Sequence, residues 1–226
     1  MTRERYLTAK QAREFYNRMG RRQDWQRFYE GRAIDALLQH GGFAQATAVF
    51  ELGCGTGALA EELLSHHLPP QATYTAVDIS PVMVSLTRRR LRPFGERVRV
   101  FESDGTFDFS RYAERCDRFV AVYVLDLLSP EAIQQVLDQA HAMLDRQGKL
   151  CLVTLSEGCT PLSRAVIRLW RGARRISPLL VGGCRPLRLA PCLSPERWRI
   201  DVDQTLSAAA VPSEIVVASP TDEAGA

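Results

Sequence analysis

Residues 50–60 read Phe-Glu-Leu-Gly-Cys-Gly-Thr-Gly-Ala-Leu-Ala, an apolar run, three glycines at alternate positions and the start of a helical run. Glycine at Gly53, Gly55 and Gly57 lets the backbone turn tightly and approach a ligand with no Cβ in the way. The helix that follows presents free N–H groups at its start. Such a turn suits a nucleotide-like ligand. The spacing Gly53-x-Gly55-x-x-Ala58 also fits a dinucleotide-binding fingerprint, so the turn alone does not choose between cofactors. Three carboxylates add context. Glu51 precedes the first glycine, Asp78 closes the next apolar run, and Asp104 closes the one after that, in Glu-Ser-Asp-Gly. A carboxylate at the end of the second strand can take both hydroxyls of a ribose.

Asp126 follows Tyr123-Val124-Leu125 at the end of a further apolar run. It is a candidate general base, a ligand for a substrate amine, or a cap for the next helix. His66 and His67 end a helix near Pro69 and read as solvent-facing, and His141 reads as structural. The six cysteines, at 54, 116, 151, 159, 184 and 192, form no C-x-x-C pair and no Cys/His cluster of zinc spacing. Reduced, mostly buried thiols and no metal site are expected.

These residues need elements to position them. Phe15, Met19, Trp25, Phe28, Tyr29, Ile34 and Leu37 recur at three- and four-residue steps, which predicts helices over the first forty residues. Strands are predicted at 46–52, 73–79, 97–102, 118–125, 149–155, 198–202 and 214–219. Helices are predicted at 58–64, at 82–91 with Pro81 at the start, at 131–144, where Gly148 ends the run, and in the arginine-rich segment after residue 160. Strands alternating with helices imply an α/β fold, a doubly wound, mostly parallel seven-stranded sheet. The expected organisation is an N-terminal helical cap (1–42), one domain (43–219) with a lid insert at about 158–196, and a frayed tail (220–226).

The Glu-Leu-Gly-Cys-Gly-Thr-Gly string, with acids closing strands two and three, resembles the class I S-adenosylmethionine-dependent methyltransferases, which have a Rossmann-like fold. In style it is nearest to the quinone-biosynthesis C-methyltransferases and the bacterial phospholipid N-methyltransferases. The resemblance covers residues 45–155 firmly and the ends loosely. It implies that Gly53, Gly55 and Gly57 form the loop under the methionine part of the cofactor, and that Glu51 orders that loop and reaches the cofactor's amino group through water. It implies that Asp78 holds the ribose hydroxyls, that Ile79 and Met83 pack on the adenine face, and that Asp104 and the backbone of Gly105 bind the adenine edge. Tyr123 would line the methionine end. Tyr16 resembles the aromatic of the N-terminal helix that folds over the cofactor, and Asp126 stands where many relatives carry a histidine. A nicotinamide-dependent oxidoreductase would need a further substrate domain or a catalytic pair, which the sequence lacks. A protein that binds the cofactor without turnover remains open.

Length and composition agree with one such domain. The chain has 226 residues, 46% hydrophobic and 24% charged, so it is neither disordered nor fibrous. No run of 18 apolar residues and no signal-peptide core is present, so a cytoplasmic protein is expected, with peripheral membrane contact left open. Residues 160–199 carry nine arginines against one glutamate. Within them Leu162, Ala165, Val166, Leu169, Ala173 and Ile176 share one helical face, Arg164, Arg168, Arg171 and Arg175 form a stripe on the opposite face, and Trp170 flanks the apolar side. Such a helix can lie on an anionic membrane, or it can pack its apolar face on the domain with its arginines in water. No nucleic-acid-reading module is recognisable, so a small-molecule or lipid acceptor is expected rather than nucleic acid. The sequence leaves the oligomeric state open.

Overall fold

The structure, a computed structural model, describes residues 6–221. Its strands are β1 (Ala48–Leu52), β2 (Thr73–Asp78), β3 (Val98–Glu102), β4 (Cys116–Val122), β5 (Leu144–Leu155), β6 (Trp198–Ala208) and β7 (Val211–Pro220). Its helices are α1 (Ala9–Met19), α2 (Arg27–His40), α3 (Ala58–Glu62), α4 (Pro81–Leu91), α5 (Pro130–Met143) and α6 (Pro161–Ile176). The strands form one sheet in the order β3-β2-β1-β4-β5-β7-β6. β1 to β5 pair in parallel, whereas β7 runs antiparallel to β5 and β6. The hairpin between β6 and β7 turns at Ala209 and Ala210, both at positive φ, as a two-residue turn matched to strand twist requires. The expected doubly wound, mostly parallel seven-stranded sheet is therefore present.

The central strands are apolar because helices cover both faces. Phe50, Phe119, Leu150 and Leu152 pack with Ile133, Val136, Leu137 and Ala140 of α5. Their neighbours along each strand, Val49, Val120, Cys151 and Val153, pack with Ala33 and Leu37 of α2, since side chains alternate along a strand. Each fully buried Leu, Ile, Val or Phe contributes about 1.5–3 kcal/mol. Thus α2 joins the core beneath the sheet, and α1 remains to cover the strand ends. Local signals set the helix starts. Ser80 and Ser129 cap α4 and α5, each followed by proline, and Thr160 forms a capping box with Ser163 at α6.

Several boundaries differ from those predicted. β4 stops at Val122, not 125, because Tyr123 takes a positive φ of 54° and leads into a short turn at Leu125–Leu127. α5 ends at Met143, and β5 begins at once, so Leu144 and Gly148 lie in the strand. A Cβ on Gly148 would stand 2.8 Å from the Asp145 carbonyl oxygen, so this glycine serves a close approach rather than a helix stop. β6 and β7 are longer than predicted. α3 is shorter and passes into a wide helical turn, Leu63–His67. The expected frayed tail starts too early: Pro220 is in β7, and Thr221 N–H donates to the Arg197 carbonyl. Residues 222–226 of that tail, and residues 1–5 of the expected cap, lie outside the described residues. Among the described residues no helix is long and apolar enough to cross a membrane.

Candidate cofactor and acceptor site

Strand order reverses between β1 and β4, and a crevice opens there at the carboxyl ends of the strands. The glycine turn lies at its floor. Gly53, Gly55 and Gly57 all take positive φ, at 73°, 54° and 78°. A Cβ on Gly53 would come within 2.3 Å of Val124 Cγ2, and one on Gly57 within 2.9 Å of Thr87 Cγ2. Gly57 therefore lets α3 lie close to α4, and it lines neither cavity described below. The turn is tied to the second strand: Gly53 and Cys54 N–H donate to the Val77 carbonyl, at 2.7 and 3.1 Å. Asp78 is nearly buried and clamps the same turn. Its Oδ2 accepts from Gly55 N–H at 2.9 Å and its Oδ1 from Ser80 N–H at 2.8 Å. Burial pushes the Asp78 carboxyl up to about 6, against the opposing pull of those donors.

Two cavities meet above this turn. One, of about 330 Å³, is lined by Asp78, Ile79, Ser103, Gly105 and Leu127, and is roofed by Leu7, Ala9 and Ala12 at the start of α1. The other, of about 260 Å³, is lined by Glu51, Gly55, Tyr29, Asp126, Trp170 and Cys184. Gly53, Tyr16, Gln23, Val122 and Tyr123 line both. Tyr16 of α1 is half-buried between them, and burial raises its phenol well above its usual range. The Tyr123 hydroxyl pairs with Ser213 Oγ at 2.6 Å, and its ring stands edge-on to Tyr29. Glu51 is buried and accepts the Tyr74 hydroxyl at 2.9 Å, and burial raises its carboxyl to about 7. Gln23 lies over Gly55, its Oε1 buried with no hydrogen-bond partner.

Asp126 is fully buried. Its Oδ2 accepts a long bond, 3.4 Å, from Leu155 N–H, and its Oδ1 has no hydrogen-bond partner. Burial raises its carboxyl to about 7, while the Leu155 N–H, its own N–H, the positive charge of Arg185 and the Cys184 thiol oppose the rise. Met83 and Asp104 depart from their expected places. The Met83 side chain is wholly buried under α4 and lines neither cavity. The Asp104 carboxylate faces solvent, where it holds Thr106 and pairs with Arg111 at 2.6 Å, and these partners keep it well below the usual carboxylate range. Its neighbours Ser103, Gly105 and Thr106 line the larger cavity in its place. The sequence reading missed Gln23, Tyr29, Glu30 and Cys184. Gln23 and Cys184 lie in short, aperiodic turns, whereas Tyr29 and Glu30 carried a helical pattern but no motif.

The lid departs from the expectation that its apolar face packs on the domain. α6 rests on the domain through Ser163 and Ile167, with Trp170 Nε1–H donating to the Cys184 carbonyl at 3.0 Å. The apolar row points away: Leu162, Leu169 and Ile176 are 66%, 76% and 77% exposed. Arg164, Arg168, Arg171 and Arg175 form the third face, with Arg171 paired to Glu157.

The acceptors around the crevice suit S-adenosylmethionine. That molecule presents ribose hydroxyls, an ammonium, a sulfonium and a carboxylate, and the first two find acceptors here. The cavities offer the Asp78 and Glu51 carboxyls, the orphaned Gln23 Oε1 and a glycine turn where a Cβ at Gly53 would collide with Val124 of the cavity wall. Replacing Asp78 by alanine removes charge-assisted bonds worth about 1.5–3 kcal/mol. We therefore expect S-adenosylmethionine to bind ten- to a hundredfold more weakly to Asp78→Ala by calorimetry. Unchanged affinity would dissociate Asp78 from the ribose.

The raised Asp126 carboxyl also has a cost in stability. Its folded value, about 7, lies above the ordinary 3.8, so the folded state holds the proton more tightly than the unfolded one. The penalty is absent below about pH 4, grows as pH rises, and is complete above about pH 7. At about 1.4 kcal/mol per unit it reaches a few kcal/mol. The stability of Asp126→Asn relative to the parent is expected to increase over that window in denaturant titrations and then level off. A pH-independent difference would contradict the burial of a charged Asp126.

Residues 49–148 match the family model described as a methyltransferase domain. A tRNA N(3)-methylcytidine methyltransferase of Drosophila melanogaster is 30% identical over 130 residues, which span 55% of this chain and 39% of that protein. A carboxy-S-adenosyl-L-methionine synthase of Chromohalobacter salexigens is 36% identical over 110 residues, 46% of this chain and 38% of that one. The matched segments thus span well under half the length of these curated relatives. Among solved structures, magnesium protoporphyrin IX methyltransferase from Synechocystis, with bound S-adenosylhomocysteine, superposes with a TM-score of 0.69 at 16% identity, over 94% of this chain and 99% of that one. The N-methyltransferase NodS of Bradyrhizobium japonicum superposes at 0.64 and 18% identity, over 85% and 97%. The family match and the glycine–Asp78 clamp fall on the same segment, so residues 49–148 match a methyltransferase domain, set in a sheet whose fold methyltransferase structures share.

Proposed function

We propose that the whole chain is an S-adenosylmethionine-dependent methyltransferase whose acceptor is lipophilic and is collected at an anionic membrane surface. The observation that carries the second half is the outward apolar row of α6. It stands beside a row of arginines, and Leu180, 64% exposed, continues it to the wall of the smaller cavity. Trp25 and Phe28, 82% and 72% exposed, neighbour in sequence the cavity residues Asp24 and Tyr29. A face of leucine, isoleucine and arginine fits the boundary between headgroups and acyl chains better than a nucleic-acid backbone, which would leave the apolar row in water.

In this reading the larger cavity takes the nucleoside, with Asp78 on the ribose, Ile79 against the base, and Ser103 and the Gly105 backbone at its edge. Asp104 acts there by holding Thr106, and Met83 supports α4 from within. Gly53, Gly55 and Glu51 hold the methionine part, and Tyr16 and Tyr123 separate it from the acceptor. The cofactor supplies a methyl group already activated on a sulfonium. The protein's work is alignment and the exclusion of water, and Asp126 holds or takes a proton on the acceptor side.

Each basic residue near an anionic bilayer is worth about 1 kcal/mol. In a sedimentation assay the protein is expected to bind phosphatidylserine-containing vesicles at low salt and to leave them near 1 M salt, where screening shortens to about 3 Å. Arg168→Gln with Arg175→Gln is expected to weaken binding by roughly tenfold or more, and Leu169→Asp to weaken it even in low salt. A protein that ignores these vesicles, or that prefers tRNA to them, would overturn the membrane reading and leave a soluble acceptor.

A further inference from the structure

The smaller cavity has an unusual charge balance. Asp24, Glu30, Glu51 and Asp126 line it, and among the described residues no lysine, arginine or histidine does. Three of these acids have partners at hand, Glu30 beside the Tyr29 hydroxyl among them. Asp24 pairs with Arg90 at 2.8 Å, and Glu51 accepts the Tyr74 hydroxyl. Asp126 is different: its carboxyl is wholly buried with only the Cys184 thiol and the Leu155 N–H beside it, and its Oδ1 accepts no hydrogen bond of normal geometry. Arg185, next in sequence to the cavity residue Cys184, is turned toward the Leu128 carbonyl and the Tyr6 ring and does not line the cavity. The remaining walls are aromatic: Phe15, Tyr16, Tyr29, Tyr123 and Trp170. Faces of such rings attract cations and repel anions.

From this geometry, and resting on the methyltransferase reading above, we infer that the methyl acceptor is an aliphatic amine whose nitrogen is held by Asp126 among these rings. On the acceptor side a carboxylate or phenolate would meet acidic walls and no cationic side chain to receive it. An amine enters as an ammonium, gives Asp126 Oδ1 the partner it lacks, and passes its proton to that carboxylate. The freed nitrogen lone pair then forms the new N–CH₃ bond as the S–CH₃ bond breaks, and that bond's electron pair stays on sulfur. Asp126 is left protonated and returns its proton to water when the site opens. The cofactor leaves as the neutral thioether, so charge and atoms balance.

The test uses the full chain saturated with S-adenosylhomocysteine and three probes of one length: octylamine, 1-octanol and octanoate. Calorimetric titration at pH 8 is expected to show octylamine binding at least tenfold more tightly than 1-octanol, with octanoate the weakest. Asp126→Asn is expected to remove most of the octylamine advantage while leaving 1-octanol unchanged. Its retained affinity for S-adenosylhomocysteine shows that the variant is folded. Octylamine binding no tighter than 1-octanol, or an unchanged octylamine affinity in Asp126→Asn, would overturn the amine assignment. Failure of S-adenosylhomocysteine itself to bind the parent would instead overturn the methyltransferase reading on which the assignment rests.

Discussion

Gly55→Val is expected to lose S-adenosylmethionine binding altogether while keeping a folded sheet. Gly55 sits at φ 54°, a region in which a β-branched residue is a genuine outlier. Its Cβ would meet the Gln23 side-chain amide at 2.8 Å, and its N–H is one of the two donors that fix Asp78. Valine therefore acts three times at one spot. It strains the turn by about 1–3 kcal/mol, displaces Gln23 from the junction of the two cavities, and loosens the carboxylate that faces the ribose. The hydrophobic packing around Phe50, Phe119 and α5 lies beneath the turn and is untouched. Circular dichroism of the variant should thus show a cooperative melt at a somewhat lower temperature, with no thermal shift on adding the cofactor. A normal thermal shift would remove the glycine turn from the binding site.

Asp126→Asn is expected to lower kcat by about a hundredfold or more, the lower end of what a positioned acid or base contributes. Cofactor affinity should move little, because Asp126 is absent from the nucleoside cavity and the methionine part is held by Gly53, Gly55 and Glu51. Asparagine keeps the shape and still accepts from Leu155 N–H, but it can neither take a proton nor match an ammonium in charge. The same variant is expected to be more stable than the parent at pH 8, as derived from the raised carboxyl. Loss of turnover with a gain of stability is what a functional group held against its own preference produces, and a merely structural cap would lose both. An unchanged kcat would leave Asp126 a cap for the turn at Leu125–Leu127.

The features legible in the sequence were those with strong local causes. The apolar run at β1, the glycines after it and the acid closing β2 each follow from a local rule, and the structure brings all three together at Gly55 and Asp78. Strand ends were harder. Tyr123 is apolar enough to extend β4, yet its positive φ turns the chain away, a consequence of tertiary packing that residue type does not announce. Gly148 read as a helix stop because glycine has two uses, and the close approach of Asp145 decides for the other one. At Asp104, short-range partners at Thr106 and Arg111 outcompete the crevice for the carboxylate, although the residue sits at the expected strand end. The lid helix was read as an apolar face with an arginine stripe opposite it, but the row that packs, through Ser163 and Ile167, belongs to neither. Burial on a helix is set by what lies beneath it, and composition alone does not fix that.

The most direct measurement of the account's central claim is a calorimetric titration of the purified full-length chain with S-adenosylmethionine, alongside a parallel titration with a nicotinamide dinucleotide. The expected result is one site per chain saturating in the micromolar range with S-adenosylmethionine and no heat of binding with the dinucleotide. Saturable binding of the dinucleotide with none of S-adenosylmethionine would contradict the assignment of the crevice between β1 and β4.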